Sequence, residues 1–141
     1  MTKTPTDLPP GPCSGTVDVH THFVPKGWPD LGAAQPWLRI DSEREAMIMV
    51  ASEEFRRIEA NCWSAEERLT DMDADGVALQ VVSPTPVFFS YDMPGIEAEK
   101  VCRIFNDLAL EICEPGGGRL LPFCQVPLQD PDAACRELDR A

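Results

Sequence analysis

Hydrophobic and polar positions alternate near the beginning of the chain, and the alternation stops at a pair of histidines. Val17 and Val19 are separated by Asp18, and alternation of this kind predicts a half-buried β-strand. Two apolar stretches, residues 77–82 and 120–126, predict further strands, the first of them buried on both faces. The pattern therefore predicts three strands of a central sheet.

Helical patterns separate or follow these strands. Ser64 and Glu67 have the spacing of a capping box at the start of a first helix, which Gly76 ends. Apolar residues recur at helical spacing over residues 101–112 and predict a second helix. Asp130, followed directly by a proline, predicts the start of a third helix that continues to the last residue.

The segments before the first helix are less regular. Residues 1–15 are rich in proline and threonine, so they are predicted to form a disordered N-terminal extension. Residues 23–62 form an excursion between the first strand and the first helix. Within it, residues 23–45 predict a long irregular loop, either at the mouth of a site or packed against the body. Residues 47–50 predict a short strand.

The order of elements indicates the fold class. Strands that alternate with helices form right-handed βαβ units and a parallel sheet, so the fold is predicted to be α/β. A complete (β/α)8 TIM barrel needs about 250 residues, and the third helix carries no stop signal. We therefore expect residues 16–141 to be the N-terminal portion of a truncated barrel. The alternative is a small open α/β domain that is complete.

Composition and charge narrow the range of partners. Of the 141 residues, 43% are hydrophobic and 26% are charged, as in ordinary globular proteins. The formal net charge of -12 argues against nucleic acid and anionic membrane surfaces as partners. No apolar run is long enough to span a membrane and no secretory signal is recognisable, so we expect a cytoplasmic protein.

The six cysteines are predicted to be reduced and mostly buried. Cys102 and Cys113 fall in one predicted helix, about 16 Å apart at ~1.5 Å per residue, which is too far for a disulfide.

His20 and His22 are the only histidines in the chain. Residues i and i+2 of a strand project to the same side, so the two imidazoles can converge on one metal ion. The alternative is a pair of surface or hydrogen-bonded histidines without a metal. The C-terminal end of a strand, where barrels of parallel strands place their chemistry, favours the metal site.

Several motifs together resemble one enzyme family. The chain resembles the 2-amino-3-carboxymuconate-6-semialdehyde decarboxylase family, which belongs to the amidohydrolase superfamily of metal-dependent TIM barrels. The resemblance runs from about residue 16 to residue 141. The segments that carry it are residues 17–25, 36–38, 55–56, 68–73, 85–87 and 125–130.

The resemblance implies a zinc-dependent, non-oxidative decarboxylase that binds one divalent ion and acts on a small anionic semialdehyde formed by ring cleavage of a hydroxyanthranilate. His20 and His22 match the first two zinc ligands, and Arg56 matches the arginine that binds a substrate carboxylate, whereas Arg57 has no such match. The remaining ligands and the acid-base histidine of the family lie beyond residue 141. The family further implies a homodimer for the full-length protein.

Three alternatives remain open from the sequence. A hydrolase of the same superfamily would use the metal for attack on an amide or ester. A related enzyme would decarboxylate a hydroxybenzoate. The third is a catalytically silent fragment or interaction module, which would lack half of the metal ligands.

We expect residues 1–141 alone to be inactive, to hold zinc weakly and to be poorly soluble or oligomeric.

Overall fold

A computed structural model of the protein describes residues 15–26 and 35–141. The predicted extension over residues 1–15 lies outside the described residues except for Gly15, and residues 27–34 of the predicted loop lie outside them as well. The described strands are β1 (Thr16–Phe23), β2 (Trp37–Ile40), β3 (Glu45–Val50), β4 (Glu53–Glu59), β5 (Val77–Pro84) and β6 (Leu120–Pro122), and the α-helices are α1 (Ala65–Asp75), α2 (Gly95–Cys113) and α3 (Pro131–Arg140).

Three of the strands form a parallel sheet in the order β1-β5-β6. Strand β1 pairs in parallel with β5, and β5 pairs in parallel with β6. Helix α1 connects the small antiparallel sheet to β5, and α2 connects β5 to β6. This alternation confirms the predicted α/β class with a parallel sheet.

The helix signals in the sequence are confirmed at three ends. Ser64 Oγ accepts a hydrogen bond of 3.3 Å from the Glu67 backbone N–H at the start of α1. The Glu67 carboxylate, however, pairs with Arg44 at 3.1 Å, so the reciprocal half of the capping box is not formed. Gly76 ends the helix with a φ of +69°, a conformation that glycine adopts without steric cost. Asp130 Oδ1 accepts from the Ala133 N–H at 3.0 Å and begins α3.

The excursion is more regular than its sequence predicts. Strands β2, β3 and β4 form a three-stranded antiparallel sheet, so the prediction of irregular chain through residue 45 is wrong for residues 37–40. Strand β4 was not predicted, because five charged residues among its seven mask the alternation on an exposed strand. Pairing with the apolar strand β3, which local pattern does not reveal, orders both of its neighbours.

The core lies between the parallel sheet and the helices. It contains the fully buried rings of Phe23, Phe88 and Phe105, and Ile48 of the small sheet joins the same cluster. Phe23 of β1 packs against Phe105 of α2 with ring centroids 6.3 Å apart, and Phe88, which follows β5, packs on the same ring with centroids 5.5 Å apart.

The strands of the parallel sheet differ from the prediction in burial and length. Val17 and Val19 are 49% and 65% exposed, so the expected half-buried face of β1 is not covered by any described element. Strand β5 is only partly buried rather than buried on both faces. Strand β6 ends at Pro122 instead of residue 126, since the Gln125 N–H is bonded to the Asn106 side chain at 2.7 Å.

Five cysteines lie within the described residues, and all are free thiols. Cys102 and Cys113 are buried, whereas Cys124 and Cys135 are exposed, so the expectation of mostly buried thiols holds for only part of the set. No helix in the described part of the chain is long and apolar enough to cross a membrane.

Candidate metal centre

The two histidines lie near the end of β1, His20 within an irregularity in its pairing with β5 and His22 after it. Asp18 is opposite Gln80, whereas Thr21 is opposite Val82, so β1 contains one extra residue between these points. Such a bulge redirects side chains locally. The Asp18 carboxylate accepts a hydrogen bond of 3.1 Å from the N–H of His20, which lies within the irregular stretch.

The imidazoles of His20 and His22 converge despite this irregularity. Their ring centroids are 5.1 Å apart, and the ring planes are at 82° to each other. The ring of His20 forms no hydrogen bond within the part of the chain that the structure describes, and the residue is exposed. Two rings at this distance are close enough to reach one ion, and the metal site itself stays a prediction.

The hydrogen bonds of His22 identify its tautomer. Its Nδ1 lies 3.1 Å from the backbone oxygen of Pro84 and 3.0 Å from Ser83 Oγ. A carbonyl oxygen can only accept, so Nδ1 carries the proton. The Ser83 hydroxyl in turn donates to the Thr21 carbonyl at 3.2 Å, which leaves its oxygen to accept from His22. The Nε2 atom of His22 therefore presents a lone pair.

This tautomer fits a metal ligand. Histidines that bind metals usually donate their second ring N–H to a backbone carbonyl, a carboxylate or a water, which fixes the ring and strengthens the ligating nitrogen. His22 has this arrangement in the protein itself. The donor set of His20 and His22 consists of two imidazoles, whose neutral form suits a borderline ion such as zinc.

The set of metal ligands is incomplete within the described residues. Among them, no group of three or more His, Cys, Asp or Glu side chains could hold a metal ion. A catalytic zinc usually has three protein ligands, so the described residues supply at most two of them, His20 and His22.

Arg56 lies on β4 of the small sheet. It is opposite Ile48 across the β3–β4 pair, and opposite residues share one face of a sheet. Because Ile48 belongs to the buried core, Arg56 is on the face of the small sheet that packs on the body, although its own side chain is exposed. Within the described part of the chain, neither Glu53 nor Glu59 forms an ion pair with it.

The neighbouring Arg57 is in a different environment. It is opposite Met47 on the other face of the small sheet and pairs with Glu45 at 3.4 Å. The two adjacent arginines thus differ in their availability to an anion. The guanidinium of Arg57 already has a carboxylate partner, whereas that of Arg56 has none among the described residues.

Cys62 lies between the small sheet and the end of β1. Burial raises the pKa of its thiol, and the positive charges of Arg68 and Arg56 oppose this shift. Its carbonyl oxygen accepts a hydrogen bond of 2.9 Å from the N–H of Val24, two residues after His22. The segment that carries Arg56 is thus joined through Cys62 to the chain that follows the histidines.

Arg68 is the functional candidate that the sequence pattern did not indicate. It is only 7% exposed, and its Nη2 donates to the backbone oxygen of His22 at 2.7 Å. Its Nη1 donates to Gln80 Oε1 at 3.2 Å. An arginine at this position of an amphipathic helix would ordinarily be exposed, and only its contact with a strand 46 residues earlier reveals its place.

Known proteins resemble this chain over nearly all of its length. A family model described as "Amidohydrolase" matches residues 17–141. The 2-amino-3-carboxymuconate-6-semialdehyde decarboxylase of Dictyostelium discoideum is 30% identical over 129 residues, which are 88% of this chain and 36% of that protein. The protein of the same name from Caenorhabditis elegans is 33% identical over 122 residues, covering 83% of this chain and 30% of that protein.

A solved structure extends the likeness to three dimensions. The crystal structure of 2,6-dihydroxybenzoate decarboxylase from Rhizobium superposes with a TM-score of 0.60 at 26% identity, covering 89% of this chain and 34% of that one. The chain thus spans about a third of the length of the curated relatives and of the solved structure that it matches.

Proposed function

The chain belongs to the amidohydrolase family whose model matches residues 17–141, and from that premise we propose that the protein is a metal-dependent decarboxylase. The family resemblance first seen in the sequence motifs is confirmed by this match and by the two relatives of the same name. The observation that carries the proposal is the convergence of His20 and His22, with the Nδ1 proton of His22 held by a backbone carbonyl.

His20 and His22 would hold the metal ion, for which we propose zinc. The fit rests on two imidazoles whose centroids are 5.1 Å apart at a strand end and on the lone pair left at His22 Nε2 when Nδ1 carries the proton. A bound zinc ion would act as a Lewis acid that stabilises negative charge developing on the substrate. The hydrogen bonds to Ser83 and Pro84 keep the ring of His22 from rotating away and maintain its tautomer.

Arg56 would bind a carboxylate of the substrate. A guanidinium can donate two parallel hydrogen bonds to a carboxylate and remains protonated under all ordinary conditions. Arg56 has no carboxylate partner among the described residues, whereas Arg57 has Glu45. With a formal net charge of -12, the protein would otherwise repel an anion, so a local cation is required at the site.

The substrate that we propose is 2-amino-3-carboxymuconate 6-semialdehyde, because two relatives that carry this name align over more than four-fifths of the chain. A hydroxybenzoate is the second candidate, favoured by the likeness to the 2,6-dihydroxybenzoate decarboxylase structure at 26% identity. Both substrates lose carbon dioxide from an anionic conjugated acid, and both would use the same two histidines and the same arginine.

The test is an assay of the zinc-loaded protein at its full natural length with each substrate in turn. Release of carbon dioxide and loss of the semialdehyde absorbance support the first candidate, and carbon dioxide from the hydroxybenzoate alone supports the second. Turnover of an amide or ester without decarboxylation of either acid would contradict the proposal and favour a hydrolase.

We propose further that residues 1–141 expressed alone hold zinc weakly and do not decarboxylate. Two histidines provide fewer ligands than a catalytic zinc usually has. Light scattering, a zinc titration and the same activity assay test this on the purified 141-residue chain. An active, monodisperse chain with tightly bound zinc would contradict it.

A further inference from the structure

Arg68 is a buried cation without a carboxylate partner in the described part of the chain. The residue is 7% exposed, its Nε atom has no hydrogen-bond partner there, and none of the ion pairs in that part involves it. Buried charges are normally paired, because removing an ion from water is costly. The guanidinium of Arg68 is instead directed at a backbone oxygen and a side-chain amide.

These two partners lie at the candidate metal centre. The backbone oxygen is that of His22, at 2.7 Å from Arg68 Nη2, and the amide is that of Gln80, at 3.2 Å from Nη1. Gln80 is opposite Asp18, the residue whose carboxylate accepts from the His20 N–H. Arg68 thus contacts β1 at a histidine and β5 at the point where the irregular stretch begins.

Arg68 and the end of β5 together hold His22 from two sides. The ring is held through Nδ1 by Pro84 and Ser83, while the backbone carbonyl is held by a charge-assisted hydrogen bond, which is among the stronger kinds in proteins. An irregular strand has fewer ladder hydrogen bonds than a regular one. His22 follows the irregular stretch and pairs with Ser83, so the additional donor from Arg68 fixes β1 just beyond the point where its pairing is irregular.

We propose that Arg68 is a positioning residue of the metal centre. It fixes the backbone of His22 so that both imidazoles stay directed at one metal position. The inference rests on the proposed metal-binding function of His20 and His22. Loss of the guanidinium would leave the His22 carbonyl without this donor and let the end of β1 relax. Interactions that orient a metal ligand typically change metal affinity 10- to 100-fold when removed.

Arg119 provides a matched control. Arg119 directly precedes β6, and its guanidinium likewise donates to backbone oxygens of β5, to Val77 at 2.9 Å and to Ala78 at 3.3 Å. These contacts are at the opposite end of that strand from Ser83 and Pro84. Its replacement removes the same kind of hydrogen bond, together with an ion pair to Asp73 at 2.7 Å, without touching either histidine.

The experiment compares Arg68→Met, Arg68→Lys and Arg119→Met in the protein at its full natural length. The Zn²⁺ affinity of each is measured by competition with a chelator, and the free energy of unfolding of each metal-free protein is measured by urea denaturation. Nitrogen NMR of the metal-free proteins reports the tautomer of His22, and the absorption bands of the Co²⁺ forms report the geometry of the site.

We expect Arg68→Met to bind Zn²⁺ 10- to 100-fold more weakly, to show mixed tautomers of His22 and to alter the Co²⁺ bands. Arg119→Met should lose a similar amount of stability but leave the Zn²⁺ affinity, the His22 tautomer and the Co²⁺ bands unchanged. Arg68→Lys should bind Zn²⁺ more tightly than Arg68→Met but less tightly than the wild type. Equal Zn²⁺ affinity and an unchanged His22 signal in Arg68→Met would overturn the proposal. If Arg68→Met does not fold, Arg68→Lys decides by the same measurements.

The proposed metal function and the role of Arg68 can fail separately. If the wild-type protein binds no Zn²⁺, the metal function is wrong, and the NMR signal of His22 in the metal-free variants still decides whether Arg68 fixes this residue. If the wild type binds Zn²⁺ and the Arg68 variants bind it equally well, the metal function stands and the inference about Arg68 is wrong.

Discussion

The Nδ1 atom of His22 lies 3.1 Å from the backbone oxygen of Pro84, and this contact leaves Nε2 as the nitrogen available to a metal ion. Because Pro84 ends β5, the neighbouring strand of the parallel sheet sets the chemistry of a residue on β1. The orientation of the candidate ligand is thus a property of the pairing of two strands rather than of the His-x-His motif alone.

The first prediction concerns Ser83, the second acceptor for His22 Nδ1 at 3.0 Å. Ser83→Ala should lower Zn²⁺ affinity about tenfold, at the low end of such effects, because the Pro84 carbonyl remains as an acceptor. Chelator competition measures the change. Thr85→Val is the control, since Thr85 Oγ1 donates to the Phe23 carbonyl across the same strands without touching a histidine. An equal loss in both variants would contradict the prediction.

The second prediction separates the two adjacent arginines. Arg56→Ala would remove the proposed charged hydrogen bond to the substrate carboxylate, and a bond of this kind is worth about 1.5 to 3 kcal/mol. At ~1.36 kcal/mol per decade, kcat/KM should fall roughly 10- to 150-fold. Arg57→Ala should change it little, because Arg57 pairs with Glu45 on the other face of the small sheet. Steady-state kinetics that show equal effects would mean that Arg56 does not bind the substrate.

The third prediction concerns Glu137, which is fully buried where α3 packs on α2. Its carboxylate accepts hydrogen bonds from Asn106 and Arg140, each at 2.7 Å. Burial alone would raise the pKa of Glu137, but the hydrogen bonds from Arg140 and Asn106 outweigh it, so the pKa lies below its ordinary value of 4.5. The stabilisation is therefore present above about pH 4.5 and lost as the pH falls through the lowered value.

Glu137→Gln should accordingly reduce the free energy of unfolding at pH 7 by about 1.5 to 3 kcal/mol. The free energy of unfolding of the variant should also fall less steeply as the pH is lowered. Urea denaturation at several pH values measures both. Asp107→Asn is the control, because Asp107 pairs with the same Arg140 at 2.8 Å but is 57% exposed, and surface pairs contribute about 1 kcal/mol or less. Equal losses of stability in the two variants would show that burial does not make the Glu137–Arg140 pair stronger than the exposed Asp107–Arg140 pair.

The fourth prediction concerns the buried thiols. Burial raises the pKa of Cys102 to about 12 and that of Cys113 to about 11, from an ordinary value of 9.0. The thiolate is the reactive form, so neither residue should be alkylated in the native protein at pH 8, whereas the exposed Cys135 should be. Mass spectrometry of the labelled protein checks this, and labelling of all three at equal rates would contradict it.

The same shifts predict a dependence of stability on alkaline pH. A raised pKa in the folded state means that the unfolded chain loses its thiol protons first, so stability is complete below about pH 9 and declines as the pH rises towards 12. Cys102→Ser and Cys113→Ser should flatten that decline in denaturation curves.

Local signals in the sequence were sufficient for much of the fold. Ser64 and Asp130 cap the helices that they predict, and Gly76 ends α1, because capping depends on residues a few positions apart. The approach of the two histidine rings was equally predictable, because residues i and i+2 of a strand project to the same side without help from distant parts of the chain.

Features set by distant partners were not predictable. The irregularity between Asp18 and Thr21 arises from the register with β5, about 60 residues later, and the charged strand β4 exists because β3 pairs with it. The Arg68 contact with His22 joins residues 46 positions apart. No periodicity within a short window contains such information, so the histidine pair could be predicted and the residues that orient it could not.

The central claim is that His20 and His22 together bind the metal ion on which decarboxylation depends. The most direct measurement is metal content by plasma emission spectroscopy of the purified protein at its full natural length, compared with His20→Ala, His22→Ala and the double variant, each checked for folding by circular dichroism. We predict that each single variant loses most of its zinc and activity together and that the double variant holds none. Zinc content equal to that of the wild type in a folded double variant would contradict the claim.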